Sequence, residues 1–433
     1  MVTCAALLGF LLLRPSQGTG LLDHSILPVG LARWEYCTII VLQVIVGLAL
    51  CARLSANGDC GKDVLRCCWL LLLFSVLVAV SSIRVFSVGS LVCGANICLS
   101  AVCFHLALWL SLQSMARRLI PDAFTVTLVA YSLVVVYHLV RPECLCTLSR
   151  GMKYYFDGKP RLSVIFGHPN HLGNVLAFGS LLCYSRVVAS RSRVSQALLW
   201  VLLAVLVAGL VATYSRGAWL GFVVGLVASA LYMYKRVTTS RLAASMLALT
   251  VIVLISVFTL SSHAAQERLG STSPEADDSV RNRVAVWRST MPMIRDHWLV
   301  GVGIGTFGDA FDRRYRPPDL GAGKYASALN NYITCAAEAG IPGILLYLCF
   351  LVYACIAGSR RVSGAGWRVG TQIGLLCGVY SMLVFGMTTY TLARVYYGVV
   401  VGCAMGYLNS LQPCRDGLGK SRTDQEHTGG GRN

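Results

Sequence analysis

A single arginine stands where two strongly apolar runs of the sequence meet. Arg216 lies in the stretch Thr213-Tyr-Ser-Arg-Gly-Ala-Trp-Leu-Gly221, between the apolar residues 196–212 and 218–234. A charged side chain at the bilayer centre costs about 2.5–3.5 kcal/mol, so an arginine near the edge usually has an anionic partner or water. Two interpretations follow: Arg216 binds an anion in a membrane-embedded cavity, or its side chain reaches the lipid headgroups.

Further arginines lie in residues 262–330, the only long hydrophilic stretch between the apolar runs. Arg281 and Arg288 are seven residues apart and share one helical face, whereas Arg283 and Trp287, four residues apart, share another. Guanidinium groups can bind the oxygens of a diphosphate bidentately. The spacing therefore predicts that two or three of these arginines bind an anion. The remaining arginines are expected to contact solvent or anionic lipid.

Two histidines precede the apolar run that begins near residue 172. They belong to the sequence His168-Pro-Asn-His171, in which Asn170 adds an amide. These side chains could bind a metal, act as a general base or form hydrogen bonds with a sugar. A metal is the least favoured of these, because no third carboxylate or cysteine ligand stands nearby. Structural hydrogen bonding remains an equal alternative.

A second polar group precedes the next apolar run after the hydrophilic stretch. It comprises Asn330 and Tyr332, followed by Glu338 at a position within or near the membrane. An intramembrane carboxylate indicates a functional group or an ion pair with an arginine. The sequence leaves both alternatives open.

The composition predicts a polytopic membrane protein. Of the 433 residues, 56% are hydrophobic and 13% are charged, whereas soluble domains carry about 25% charged residues. The formal net charge of +18 is concentrated in short loops, which the positive-inside rule and anionic lipids explain without a nucleic-acid partner. Most of the 18 cysteines lie inside apolar runs, where they act as small hydrophobic residues.

The predicted fold is all-α, with about twelve transmembrane helices and one large periplasmic loop, by the criterion of ~20 apolar residues per span. The apolar runs cover residues 4–13, 37–52, 65–83, 88–112, 123–140, 172–189, 196–212, 218–234, 243–261, 341–357, 370–388 and 395–409. The predicted divisions are nine helices in residues 1–261, the loop 262–330, three helices in 331–411 and a disordered tail at 412–433.

Basic residues in alternate short loops place both termini in the cytoplasm. The 262–330 loop and Arg216 then share the periplasmic side. Gly217, Gly221 and Gly225 recur every four residues and predict a smooth helix face for a second helix or a ligand. Gly301-Val-Gly-Ile-Gly305 lacks the preceding strand and the following Lys-Ser/Thr of a phosphate loop, so it predicts a tight turn.

These motifs together resemble the O-antigen ligase and O-antigen polymerase superfamily, over roughly the C-terminal two thirds of the chain. The matching stretches are Phe166-Gly-His-Pro-Asn170, Thr213 to Gly221, Arg283-Val-Ala-Val-Trp287, His297-Trp-Leu-Val-Gly-Val-Gly-Ile-Gly-Thr-Phe307, Asn330-Asn-Tyr-Ile333 and Glu338-Ala-Gly-Ile-Pro-Gly343. The Ser-Arg-Gly element and the Arg…Trp…Gly-x-Gly-x-x-Phe series are specific for the superfamily, not for one member.

The resemblance implies a metal-independent, inverting glycosyltransferase without a cofactor, in the bacterial inner membrane. Such an enzyme moves a glycan from an undecaprenyl-diphosphate carrier to a lipid or glycan acceptor at the periplasmic face. Carried over by position, Arg216, Arg283 and Arg281 would bind the donor diphosphate. The candidate catalytic residues are His168, His171 and Glu338, and the candidate acceptor or sugar contacts are Asn170, Asn330 and Tyr332.

One position departs from the family pattern. The ligases usually carry a histidine before the Asn-x-Tyr element, and this sequence has Leu329 there. Either His168 or His171 supplies the base, or little base catalysis is needed, or the protein is not a ligase. The alternative function is a transporter or channel, such as the superfamily branch once linked to inorganic carbon accumulation. That alternative predicts broken helices and paired polar residues near the membrane midplane.

Overall fold

The computed structural model describes most of the chain between residues 33 and 411. The described residues are 33–56, 62–113, 119–140, 155–156, 159–160, 162, 168–234, 236–260, 278–321, 323, 325–364 and 366–411. The predicted span at 4–13, the first part of the hydrophilic loop at 262–277 and the predicted tail at 412–433 lie outside these ranges.

The described residues form helices and one pair of two-residue strands. In chain order these are α1 (Arg33–Ala56), α2 (Lys62–Val85), α3 (Val88–Leu112), α4 (Leu119–Val140), β1 (Tyr155–Phe156), β2 (Lys159–Pro160), α5 (Pro169–Ala189), α6 (Arg193–Ala212), α7 (Arg216–Tyr234), α8 (Thr239–Leu260), α9 (Asp278–Asp296), α10 (Phe307–Ala310), α11 (Asn331–Arg360), α12 (Trp367–Phe385) and α13 (Val395–Ser410). The antiparallel strands pair Tyr155 with Pro160.

The all-α, polytopic fold predicted from the apolar runs is confirmed. Within the described ranges, ten helices are long and apolar enough to cross a membrane, namely α1 to α8, α11 and α12. The run at residues 395–409 also forms a helix, α13, but its 16 residues are fewer than the ~20 that a span requires. The helices α9 and α10 belong to the hydrophilic loop, and a single π-helical turn at Phe311–Tyr315 follows α10.

Helix α5 lies at the centre of the bundle. Every residue of its apolar window is buried, and it packs against α6, α7 and α12. At its C-terminal end the buried guanidinium of Arg186 donates to the hydroxyls of Thr371 at 3.0 Å and Thr125 at 2.7 Å and stacks over the Trp367 ring. These contacts tie α4, α5 and α12 together because a buried guanidinium must be satisfied.

The glycine-lined face of α7 packs against α12. If Gly221 carried a side chain, its Cβ would lie only 2.6 Å from the carbonyl oxygen of Ser381. A Cβ added at Gly225 would lie 2.9 Å from the carbonyl oxygen of Cys377, so the two helices approach too closely for any side chain at these positions. Of the two partners predicted for this face, a helix and a ligand, the structure shows the helix. Helix α13 packs on α3 in the same way, through Gly398, Gly402 and Gly406.

Helix α11 consists of two helical segments that meet at Gly340. The backbone there has φ 73° and ψ 179°, a conformation that only glycine adopts readily. The break frees the N–H of Ile341, which donates to the carbonyl oxygen of Trp298 at 2.7 Å. The hydrophilic loop therefore supplies the hydrogen bond that the helix has lost.

Replacing Gly402 by leucine should destabilise the bundle. Even the Cβ would lie 2.6 Å from the carbonyl oxygen of Ser100, and overpacking of this kind costs about 1–3 kcal/mol. We expect a lower thermal unfolding midpoint in detergent micelles, with Gly89→Ala as the control because no atom lies within 4 Å of a Cβ at Gly89. Equal midpoints for both variants would contradict the packing between α3 and α13.

Candidate functional site

A very short hairpin connects α6 to α7 and positions Arg216. Helix α6 ends at Ala212, and Arg216 is the first residue of α7. Between them, the Thr213 N–H bonds back to the last turn of α6, and the buried Tyr214 has φ 49°. Left-handed backbone at a non-glycine residue costs on the order of 1–3 kcal/mol and is typical of functional segments.

The tip of this hairpin lies between α5 and a second connection. On one side, a Cβ at Gly173 of α5 would lie 2.9 Å from the Thr213 hydroxyl. On the other side, a Cβ at Gly217 would overlap the hydroxyl of Thr388. Thr388 belongs to residues 386–394, which join α12 to α13 and are called here the C-terminal connection.

Arg283 reaches the same connection from the hydrophilic loop. Its half-buried guanidinium donates to the carbonyl oxygen of Thr388. Helix α9 is held there by Trp287, whose indole N–H donates to the carbonyl oxygen of Ala328 at 2.7 Å. The Arg283 guanidinium and the N-terminus of α7, where Arg216 lies, therefore both adjoin Thr388.

Arg281 lies on the opposite face of α9. It is exposed, as are Arg288 and Arg295 at intervals of seven residues, whereas Val286 and Met293 on the inner face are fully buried. Two residues along a helix rotate the side chain by about 200°. Arg281 and Arg283 therefore face different sides of α9, and a role for Arg281 in donor binding stays a prediction.

Asn330 and Tyr332 hold the start of α11 against the C-terminal connection. The Asn330 carboxamide accepts hydrogen bonds from the N–H groups of Tyr332 and Ile333 and donates to the carbonyl oxygen of Met387 at 2.9 Å. The Tyr332 hydroxyl donates to the Leu383 carbonyl oxygen at 2.9 Å. These bonds are structural, and sugar contacts by the two residues remain a prediction.

Asn331 contributes the most direct tie to the same connection. Its fully buried carboxamide accepts from the N–H groups of Thr391 at 2.5 Å and Leu392 at 3.0 Å and donates to the Thr391 hydroxyl at 2.9 Å. The preceding Leu329, at the position of the family histidine, has φ 53°. A leucine there supplies no titratable group.

His168 occupies the N-cap of α5. Its Nδ1 accepts from the N–H of Asn170 at 3.1 Å, so in a neutral imidazole the proton lies on Nε2. In this arrangement His168 presents a hydrogen-bond donor rather than a base. The Phe166 and Gly167 of the same motif lie outside the described residues.

His171 points into the bundle. It is 4% exposed, and its Nδ1 lies 2.8 Å from the hydroxyl of Tyr396 on α13. The His168 and His171 rings are 5.6 Å apart. If Nδ1 donates to the tyrosine, Nε2 is the basic nitrogen of the neutral ring. A role for His171 as a general base stays a prediction.

Glu338 fixes the glycine-rich turn of the loop to α11. The carboxylate is 1% exposed and accepts from the Phe307 N–H at 3.2 Å and the Tyr390 hydroxyl at 3.4 Å. The N–H groups of Val302 and Gly303 donate to the carbonyl oxygens of Ala337 and Glu338. Because these amides are already bonded, the sequence Gly301–Gly305 forms the expected tight turn and not a phosphate cradle.

The phenol of Tyr390 remains a donor over the whole physiological range. Burial and the neighbouring Glu338 carboxylate hold the pKa of Tyr390 well above its usual value. Tyr390 therefore stays protonated and can donate to the carboxylate. Among the described ion pairs none involves Glu338, so the predicted pairing with an arginine is not seen there.

The C-terminal connection is the part of the site that the sequence motifs missed. The available signal was the polar group Thr388-Thr-Tyr-Thr391 between two apolar runs. Arg394, at the N-cap of α13, belongs to the same connection. Across the described ranges, no three His, Cys, Asp or Glu side chains gather in a group that could hold a metal ion.

One known protein family matches the part of the chain that contains Arg216, Arg283 and Glu338. Residues 201–348 match the family model Wzy_C, described as O-Antigen ligase. No curated protein sequence matches the chain significantly. The matched range includes Arg216, Arg283 and Glu338 and ends before the C-terminal connection. This match confirms the resemblance seen in the sequence and supports assigning the chain to the O-antigen ligase and polymerase superfamily.

Proposed function

We propose that the protein transfers or polymerises a glycan carried on undecaprenyl diphosphate, onto a hydroxyl of a lipid or glycan acceptor. The proposed location is the periplasmic face of the bacterial inner membrane, with both termini in the cytoplasm. One observation carries the proposal: Arg283 and the N-terminus of α7, 67 positions earlier, adjoin the same residue, Thr388. This places two guanidinium-bearing elements side by side at one end of the bundle.

The chemistry is a single displacement with inversion. The acceptor oxygen forms a bond to the anomeric carbon, and the bond from that carbon to the diphosphate oxygen breaks. Negative charge then builds on the leaving undecaprenyl diphosphate, and the acceptor hydroxyl gives up its proton. Arg216 and Arg283 stabilise that charge, and such stabilisation of developing charge is often the largest contribution to catalysis.

The fold supports these roles for the arginines. Arg216 stands at the N-terminal end of α7, where the helix dipole favours anions. Arg283 is oriented by its bond to Thr388 and by the packing of α9 through Trp287. Preorganised groups of this kind do not have to rearrange when the charge develops.

A proton acceptor is best supplied by His171. His168 uses Nδ1 to cap α5 and presents a donor, which suits a hydrogen bond to a sugar or phosphate oxygen, as does the neighbouring Asn170. We propose that His171 is the base, with Tyr396 fixing its tautomer, and that His168 and Asn170 orient the substrate. Glu338 is then a positioning residue, since its carboxylate is engaged by Phe307 and Tyr390.

The transporter alternative has less support. The break in α11 at Gly340 is the kind of discontinuity that transporters use. However, the N–H of Ile341 is bonded to Trp298, and the carbonyl oxygens of Ala337 and Glu338 are bonded to the loop. Backbone groups already occupied in this way do not line an ion site.

Arg216→Ala and Arg283→Ala should each abolish glycan transfer while leaving membrane insertion intact. Arg216→Lys should also fail, because an ammonium cannot reproduce bidentate contacts with a diphosphate. The measurement is incubation of purified protein with undecaprenyl-diphosphate-linked glycan, followed by analysis of the lipid and glycan products.

The matched control for these variants is Arg288→Ala. Arg288 lies on the same helix as Arg283 but on its exposed face, so transfer should remain near the wild-type rate. Full activity in both Arg216→Ala and Arg283→Ala would rule out the proposed donor site.

His171→Ala should slow transfer by 10²–10⁴-fold, the usual contribution of a general base. His168→Ala should mainly weaken substrate binding and raise KM for the lipid-linked glycan. The reason is that His168 offers a hydrogen-bond donor rather than a basic lone pair. Steady-state rates at varied donor concentration separate the two effects. The assignment fails if His171→Phe, which keeps an aromatic ring in the buried position, transfers glycan at the wild-type rate.

Glu338→Gln should keep most of the transfer activity, and Glu338→Ala should lose it. Glutamine retains an oxygen that can accept from the Phe307 N–H, whereas alanine leaves that buried N–H unsatisfied, which costs about 1–3 kcal/mol. Activity together with the thermal unfolding midpoint distinguishes the roles: an inactive but fully stable glutamine variant would instead show that Glu338 takes part in proton transfer.

A further inference from the structure

Three consecutive apolar side chains are exposed where α9 turns back toward the bundle. Trp298, Leu299 and Val300 are 58%, 54% and 52% exposed, respectively, and they are called here the apolar corner. By contrast, Phe307 and Phe311 of the same loop are fully buried. Water is a poor environment for three adjacent apolar side chains, so the corner indicates a contact surface.

The contacts between the apolar corner and α11 fix the position of the corner relative to the membrane-spanning part of that helix. The Trp298 carbonyl oxygen accepts from the Ile341 N–H, and a Cβ at Gly340 would lie 2.6 Å from the Leu299 carbonyl oxygen. Residues 341–360, which follow the break, are about 30 Å long at 1.5 Å per residue and can cross the hydrocarbon core. Ile341 therefore marks one end of this span, and the corner lies at that end.

The spanning segment exposes its apolar side chains in a line that leads to the corner. Ile341, Leu345, Leu348 and Val352 are all exposed and follow helical spacing. Such a line in a membrane-spanning helix faces lipid. The corner continues that line past the end of the span, into the interfacial region where tryptophan is enriched.

Two arginines flank the corner. Arg295 is exposed and stands three residues before Trp298. Arg84 is exposed in the last turn of α2, and its guanidinium donates to the carbonyl oxygen of Gly301 at 3.3 Å. The preceding residues Val80 and Ile83 are exposed apolar side chains of α2. The corner thus lies between two lipid-facing helices, with a cation from α2 and one from α9.

We propose that this region is a binding site for anionic phospholipid. Trp298, Leu299 and Val300 insert between the acyl chains, and the guanidinium groups of Arg84 and Arg295 bind the headgroup phosphates. The bound lipid would hold the turn from Gly301 to Phe307, which bonds to α11 at Glu338. The proposal concerns the lipid surface alone and does not depend on the glycan chemistry.

Insertion of the corner is tested by fluorescence quenching in lipid nanodiscs. Brominated phospholipids quench tryptophans that reach the acyl chains, and the difference between the wild-type protein and Trp298→Phe isolates Trp298. We expect the quenched fraction to fall in the variant. The same quenched emission in both proteins would place Trp298 in water and overturn insertion.

Headgroup binding is tested by native mass spectrometry of protein released from nanodiscs of phosphatidylcholine and phosphatidylglycerol. Arg84→Gln/Arg295→Gln should retain at least fivefold less phosphatidylglycerol than wild type. Arg288→Gln, at an exposed arginine of α9 seven residues before Arg295 and therefore about 10 Å from it along the helix, should retain the wild-type amount. Unchanged retention in the double variant, or an equal loss in the control, would overturn the site.

The single variant Arg295→Gln distinguishes a loss of lipid binding from a folding defect. Arg84 bonds to the loop backbone, and its loss could disturb the turn, whereas Arg295 has an exposed side chain. A twofold or greater loss of phosphatidylglycerol in Arg295→Gln, with an unchanged unfolding midpoint, would support the site. No loss in this variant would remove Arg295 from it.

Discussion

The buried carboxamide of Asn331 satisfies two backbone N–H groups of the C-terminal connection, and the rest of the site depends on that arrangement. Buried amides must be bonded, and residues 391 and 392 precede α13 and lack helical partners. The side chain of Asn331 takes their place and so fixes the path from Gly386 to Arg394. This path brings the Thr388 carbonyl to Arg283, the Thr388 side chain to the start of α7, and the Tyr390 hydroxyl to Glu338.

Unusual backbone conformations surround this connection. Tyr214 and Leu329 have left-handed φ values, and Gly340 interrupts α11. The two non-glycine residues each cost on the order of 1–3 kcal/mol, so the surrounding contacts must hold them. The conformation of Leu329 is held by the following Asn330, which caps α11 and bonds to Met387. The conformation of Tyr214 is held by the close packing of Thr213 on Gly173. Leu329 has no titratable group, so the proposed base is His171 instead.

Span positions were predictable because a membrane helix needs a long apolar run, and each predicted run within the described ranges forms a helix. The short hairpin at Arg216, the turn at Gly301–Gly305 and the packing face of α7 also followed from local sequence. Helical spacing already separated Arg281 from Arg283, since residues two apart face opposite sides. The role of Thr388 could not be foreseen: its contacts with residues 217 and 283 join elements more than 100 positions apart. Nor does an isolated sequence show that Glu338 is satisfied by an amide and a phenol rather than by an arginine.

Helix α11 connects the site to the bilayer through its two segments. The segment before Gly340 carries Asn330, Asn331 and Tyr332, which hold the C-terminal connection, and Glu338, which holds the turn at Phe307. The segment after Gly340 spans the membrane and begins with Ile341, whose N–H is bonded to Trp298. The apolar corner is therefore bonded directly to the residue that follows the break in α11. Tyr390 lies two residues from Thr388 in the C-terminal connection, so its hydrogen bond to Glu338 links α11 to the segment that also binds Arg283.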